Sequence, residues 1–184
     1  DNPLYLVKIT EGGMSFHGGL LGVILALWLF ARKQHKPLLA VGDFVAPIFP
    51  IGLFFGRLGN FINSELWGKT TAVPWGVVFP NGGGLPRHPS QLYEAALEGL
   101  LLFIIINWLA RTPQPPGRLS GLFLLGYGLS RFIVEFVRVP DAHIGYLAFD
   151  WFTKGQLLSL PMIILGAYFV FRHTSKNNVT TETT

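Results

Sequence analysis

Five stretches of this 184-residue chain are apolar almost without interruption: 18–30, 44–55, 95–110, 119–137 and 157–171. With their flanking residues, several approach the roughly 20 residues that a helix needs to cross about 30 Å of hydrocarbon. A helix on the surface of a water-soluble protein carries a polar face, and these segments show almost none. Charged residues make up 13% of the chain, about half the ~25% usual in soluble domains. The pattern predicts an all-α polytopic membrane protein with five transmembrane helices, at 17–33, 42–62, 91–110, 119–137 and 155–172. A Gly/Pro-rich loop at 63–90 joins the second to the third. Residues 1–173 form a single transmembrane helical domain on this reading, and the polar tail 174–184 is expected to be disordered.

Lysine and arginine set the orientation, because cytoplasmic connections collect them. The shorter connections and tail hold Arg32, Lys33, Lys36, Arg111, Arg118, Arg172 and Lys176. The opposite, longer set holds Lys8, Lys69, Arg87, Arg138 and Lys154, offset by Asp1, Glu11, Glu65, Asp141 and Asp150. The first set is expected in the cytoplasm and the second, with loop 63–90, outside. The chain starts at Asp1 without a charged leader, so a piece of a longer protein is expected. Without cysteine there is no disulfide, thiolate metal site or thiol nucleophile in this chain.

This topology gives the polar residues a depth. His17 falls at the outer start of the first span, Arg57 and Asn60 at the outer end of the second, and Arg131 and Glu135 in the outer half of the fourth. An arginine at mid-bilayer costs roughly 2.5–3.5 kcal/mol on insertion scales, so two in one leaflet point to a polar site there. Tyr127, Arg131 and Glu135 lie at i, i+4 and i+8 on one helical stripe, and Arg57 and Asn60 share a face. A guanidinium fits phosphate or carboxylate with a rigid fork of donors and stays protonated. The alternatives are a structural Arg131–Glu135 pair linking spans and an Arg57 that snorkels to the headgroups.

Other residues read as architecture. Pro47 and Pro50 are expected to kink the second span, with neighbouring helices satisfying the freed carbonyls. Asp43 is a candidate cap for that span's start and Ser90 a candidate N-cap for the third. Gly18 with Gly22, and Gly52 with Gly56, form small-xxx-small patterns expected to let helices approach. Loop 63–90 is either a lid over the site or a connector. No Gly-x-Ser-x-Gly elbow, aspartate cluster or phosphate-binding Gly-x-x-x-x-Gly-Lys loop occurs, which disfavours serine hydrolases and metal-dependent phosphotransferases. No metal and no cofactor are expected, nor any nucleic-acid partner. What remains is metal-free chemistry on an anionic, lipid-side substrate.

Four blocks carry a resemblance. They are Phe16-His17-Gly18-Gly19-Leu20; Gly56-Arg57-Leu58-Gly59-Asn60-Phe61-Ile62-Asn63-Ser64-Glu65-Leu66-Trp67-Gly68; Arg87-His88-Pro89-Ser90-Gln91-Leu92-Tyr93-Glu94; and Gly126-Tyr127-Gly128-Leu129-Ser130-Arg131-Phe132-Ile133-Val134-Glu135-Phe136-Val137-Arg138. Together they resemble the bacterial phosphatidylglycerol–prolipoprotein diacylglyceryl transferases, close to the enterobacterial form. The likeness runs over most of the chain, but members of the family have seven spans, and the first two are missing here. It implies transfer of the sn-1,2-diacylglyceryl group of phosphatidylglycerol to the lipobox cysteine of a preprolipoprotein. A thioether forms and glycerol phosphate leaves, at the outer face of the bacterial inner membrane, as the first step of lipoprotein maturation. The partners implied are phosphatidylglycerol, the lipobox segment and membrane lipid.

By the same resemblance, His17, Arg57, Asn60, Glu65, Gly68, Tyr127, Arg131 and Glu135 match functionally important positions. Arg57, Asn60, Glu65 and Gly68 are expected to bind phosphatidylglycerol, Gly68 by letting the loop turn. His17, Tyr127, Arg131 and Glu135 are expected to be catalytic. Arg131, oriented by Glu135, would stabilise charge on the leaving phosphate. His17, or more weakly Tyr127, would take the thiol proton, unless the field of two arginines lowers the thiol pKa unaided. A lipid or anion transporter and a structural membrane subunit stay open as alternatives. The 184-residue piece by itself is expected to be inactive.

Overall fold

The computed structural model describes residues 16–139, 146–148 and 151–172. The chain divides into two compact units, Asp1–Val41 and Gly42–Thr184. In the first, α1 (Phe16–Lys33) is an 18-residue apolar helix with Arg32 and Lys33 in its last turn, where cations meet the negative end of the helix dipole. Arg32 also lies over the Trp28 ring, 4.9 Å from its centroid. Its flank of Leu21, Ile24, Leu25 and Leu29 is exposed.

Helix α2 (Leu38–Val45) begins in the first unit and ends in the second, and α3 (Phe49–Ile62) follows. The two are bent by 50° at the break between them. Pro47 lies in the break and Pro50 in the first turn of α3, where a missing N–H costs no helical hydrogen bond. The carbonyl freed at Pro47 accepts Asn107 Nδ2 at 3.0 Å, so the neighbouring helix satisfies it. That helix runs over Ser90–Leu109 in three parts: α4 (Ser90–Glu94), a π-helical segment (Ala95–Leu101) and α5 (Leu102–Leu109). Helix α6 (Arg118–Val134) and helix α7 (Lys154–Phe171) complete the unit, with a short antiparallel pair, β1 (Tyr146–Ala148) and β2 (Phe152–Thr153), between them.

Among the described residues, Ser90–Leu109 and Lys154–Phe171 are long and apolar enough to cross a membrane, and the bent α2–α3 pair makes a third if it is one span. Helix α6 has 17 residues. A small core of Ala46, Leu102, Ile106 and Leu119, with Tyr127 packed against it, ties the break, α5 and α6 together.

One expectation about local structure is corrected. Asp43 does not cap its own helix. Its carboxylate accepts Gly117 N, Ser120 N at 2.8 Å and Ser120 Oγ at 2.7 Å, and so caps α6 from 74 residues away in sequence. A Cβ at Gly22, Gly52 or Gly56 would meet nothing within 4 Å among the described residues. Close approach among the described residues is made by other glycines. At Gly121 a Cβ would sit 2.6 Å from Phe169 Cβ, and at Gly166 it would collide with Leu125 N; these two glycines let α6 and α7 touch backbone to backbone.

Loop 63–90 is folded around Arg87. Its backbone bridges to Thr70 and Val77, its Nε donates to Gly82 O at 2.6 Å, and its guanidinium lies over Trp67.

Candidate active site

Three arginines and three glutamates meet where α3, α4 and α6 come together. Arg57 stands in α3, one turn before Asn60. Glu94 ends α4 and Glu98 lies one turn on in the π-helical segment, so both face the same way. Arg131 is in the last turn of α6, Glu135 follows as its C-cap, and Arg138 continues the stripe.

Glu94 is the hub. Its Oε2 lies 3.1 Å from Arg57 Nε, while its Oε1 takes both Arg131 Nη1 and Arg138 Nη1, the latter at 2.6 Å. Glu98 Oε2 holds Arg57 Nη2 at 3.2 Å. Glu135 Oε2 faces Arg131 Nη2 at 3.1 Å and Arg138 Nε at 3.4 Å. Its Oε1 accepts the Thr153 hydroxyl at 2.9 Å.

The burial is layered. Glu94 and Glu98 have no exposed side-chain surface and Glu135 has 6%, whereas Arg57, Arg131 and Arg138 keep 17%, 19% and 11%. The carboxylates form a floor and the guanidiniums lie over it. The partly exposed side chains of the cluster are therefore the arginines rather than the glutamates. Three cations this close would repel one another strongly without the floor.

The turn after α3 is held against this cluster under strain. Ser64 and Leu66 both adopt φ of 56°, the left-handed region that non-glycine residues rarely enter. Ser90 Oγ donates to Leu66 O at 3.0 Å, and Gln91 Nε2 donates to Glu65 O. Ser90 therefore does not cap the third span. Pro89 takes the N-cap position without a side-chain bond, and the serine hydroxyl is spent on the strained turn.

Of the residues singled out from sequence, Arg57, Arg131 and Glu135 lie in the cluster. Tyr127 is half-buried, stacks on Phe123 with centroids 6.0 Å apart, and feels the charges of Arg57, Arg131, Glu94 and Glu98. Asn60 is half-buried, and its carbonyl accepts Glu65 N at 2.9 Å. The Glu65 side chain is exposed, and among the described residues no ion pair reaches it. His17 lies in the first turn of α1, with its side chain outside the described residues. Gly68 does not take the left-handed conformation and pairs with Arg138 in an isolated bridge. It is glycine because a Cβ would lie 2.5 Å from Val137 O and 2.8 Å from His88 O, where the loop bridges to Arg138.

The sequence reading assigned no role to Glu94, Glu98 or Arg138. A signal existed for Glu98, which stands inside the apolar run 95–110 where a carboxylate is costly.

The family model described as prolipoprotein diacylglyceryl transferase matches residues 1–172. A protein of Idiomarina loihiensis is 65% identical over 172 residues, covering 94% of this chain and 64% of that protein. One of Vibrio parahaemolyticus is 61% identical, covering 90% of this chain and 60% of its own length. One of Coxiella burnetii is 57% identical, covering 95% and 68%. All three are named phosphatidylglycerol–prolipoprotein diacylglyceryl transferase. The chain thus spans 64% and 60% of the length of the first two. Over that span, it belongs to the prolipoprotein diacylglyceryl transferase family.

Proposed function

We propose that this chain carries the anion-handling half of a phosphatidylglycerol–prolipoprotein diacylglyceryl transferase. The relatives' names supply the substrates, and the observation that carries the reading is the layered cluster, with guanidiniums above and buried carboxylates below. That layering suits a phosphodiester: it offers N–H donors to phosphate oxygens while the floor keeps the arginines from scattering. On this reading five spans cross the bacterial inner membrane and the cluster faces the outer leaflet.

In the proposed reaction, the lipobox cysteine thiolate attacks the glycerol carbon that bears the phosphate ester. The C–S bond forms, the C–O bond breaks, and glycerol phosphate leaves with the electron pair. Arg57, with Asn60, holds the phosphate. Glu65 and Gly68 shape the substrate side of the turn after α3. Arg131, fixed by Glu94 and Glu135, meets the charge that grows on the leaving oxygen, where preorganised donors act most strongly. His17, or more weakly Tyr127, receives the thiol proton, unless the field of the two arginines lowers the thiol pKa unaided.

The test supplies phosphatidylglycerol and a lipobox peptide to the full-length protein in detergent and follows glycerol phosphate release and peptide mass. Expected is a peptide heavier by one diacylglyceryl group, and loss of product in Arg131→Ala. An unmodified peptide, or undiminished product in Arg131→Ala, overturns the reading.

A further inference from the structure

Glu135 is held from a side the proposed chemistry does not use. Its Oε2 serves Arg131 and Arg138, and its Oε1 takes the hydroxyl of Thr153 at 2.9 Å. Thr153 is buried and is the N-cap of α7; its oxygen accepts Gln156 N at 3.3 Å, completing a capping box with Gln156 Oε1 on Thr153 N. A hydroxyl has one proton. Since the cap uses the oxygen as acceptor, that proton points at Glu135. The next residue but one closes the other side: a Cβ at Gly155 would lie 2.6 Å from Glu135 Oε1 and 2.8 Å from Oε2, far inside van der Waals contact.

We propose that Thr153 and Gly155 are positioning residues for Glu135. The start of the last helix sets the angle at which the carboxylate presents Oε2 to Arg131 and Arg138. This rests on the transferase reading above. Thr153 donates one oriented hydrogen bond, and Gly155 leaves the space the carboxylate occupies. Any side chain at 155 displaces the carboxylate, which is the free end of a flexible side chain, before it displaces the backbone. Arg131 and Arg138 then keep Glu94 but lose the second carboxylate they share, while the helices stay packed.

The experiment uses the full-length enzyme with Thr153→Ser, Thr153→Val, Gly155→Ala and Gln156→Ala. It measures kcat, KM for phosphatidylglycerol and Tm. The displaced carboxylate weakens its ion pairs, so Gly155→Ala is expected to lower Tm modestly while kcat falls on the order of tenfold to a hundredfold. Thr153→Ser retains both functions of the hydroxyl and is expected to work within about twofold of the unaltered enzyme. Thr153→Val should lower kcat and Tm together, whereas Gln156→Ala, which breaks only the capping box, should lower Tm and spare kcat. Unchanged kcat in Gly155→Ala overturns the proposal, as does a kcat loss in Gln156→Ala equal to that of Thr153→Val. An unaltered enzyme that releases no glycerol phosphate overturns the transferase reading instead. Positioning is then judged by phosphatidylglycerol affinity, which Gly155→Ala must weaken while Gln156→Ala does not.

Discussion

Two carboxylates in this molecule reach across the chain to other helices, and they end up in opposite circumstances. Asp43 accepts only neutral donors, two backbone N–H groups and a hydroxyl at the start of α6. Glu94 meets only charged partners: its Oε1 accepts Arg131 Nη1 and Arg138 Nη1, and its Oε2 forms an ion pair with Arg57. The Asp43 junction is self-contained: its donors were orphan helix N–H groups and are now used up. The Glu94 junction leaves its guanidinium partners partly exposed. A buried acid that finishes its bonding within the fold is architecture. One that holds cations open to the outside builds a site.

The contrast is sharpest at Glu94. Glu94→Gln in the full-length protein should cut diacylglyceryl transfer by more than about a hundredfold and lower stability by about 3–5 kcal/mol, because three guanidiniums lose their shared anion. Transfer rates and denaturant midpoints check this, and retained transfer would dissolve the distinction from Asp43. Next in size is Arg57→Lys, since an ammonium cannot span Glu94 and Glu98 as the fork does. KM for phosphatidylglycerol should rise about tenfold with a smaller change in kcat. Asp43→Ala should cost about 1–2 kcal/mol of stability through the lost cap and leave kcat untouched; a fall in kcat at constant stability would make Asp43 part of the site. The smallest effect is expected of Asn107→Leu, which frees the Pro47 carbonyl at a cost of about 1 kcal/mol, visible as a lowered Tm alone.

Arg57, Arg131 and Glu135 were legible in the sequence because each breaks an apolar run, and the last two share a helical stripe. The bend at Pro47 was legible for a reason equally local, the missing N–H. Glu94 was not, although it stood in view. It follows His88, Pro89, Ser90 and Gln91, which read as an aqueous edge, and nothing in a linear string says that three distant arginines converge there. The partner of Asp43 lies 74 residues on, and helix-capping logic looks only at neighbours. The strained turn left no trace at all, because Ser64 and Leu66 are neither glycine nor asparagine. Its cause lies in Ser90 and Gln91, across a loop. The close approach at Gly121 and Gly166 left no mark in the spacing, because only the fold says which small residues face another helix.

The π-helical turn between α4 and α5 separates the span at Ser90–Leu109 into two parts. Each residue of an α-helix advances the azimuth by about 100°. Because a π-helical turn takes up one more residue than an α-helical one, a one-residue deletion within Ala95–Leu101 that restored α geometry would leave Leu102 and Ile106 at nearly the same azimuth to Glu94. The widened turn thus works as a coupling between two shafts. The upper half stays keyed to the arginines while the lower half seats its own side chains in the core, and a residue gained or lost at the turn need not rotate the acids above it.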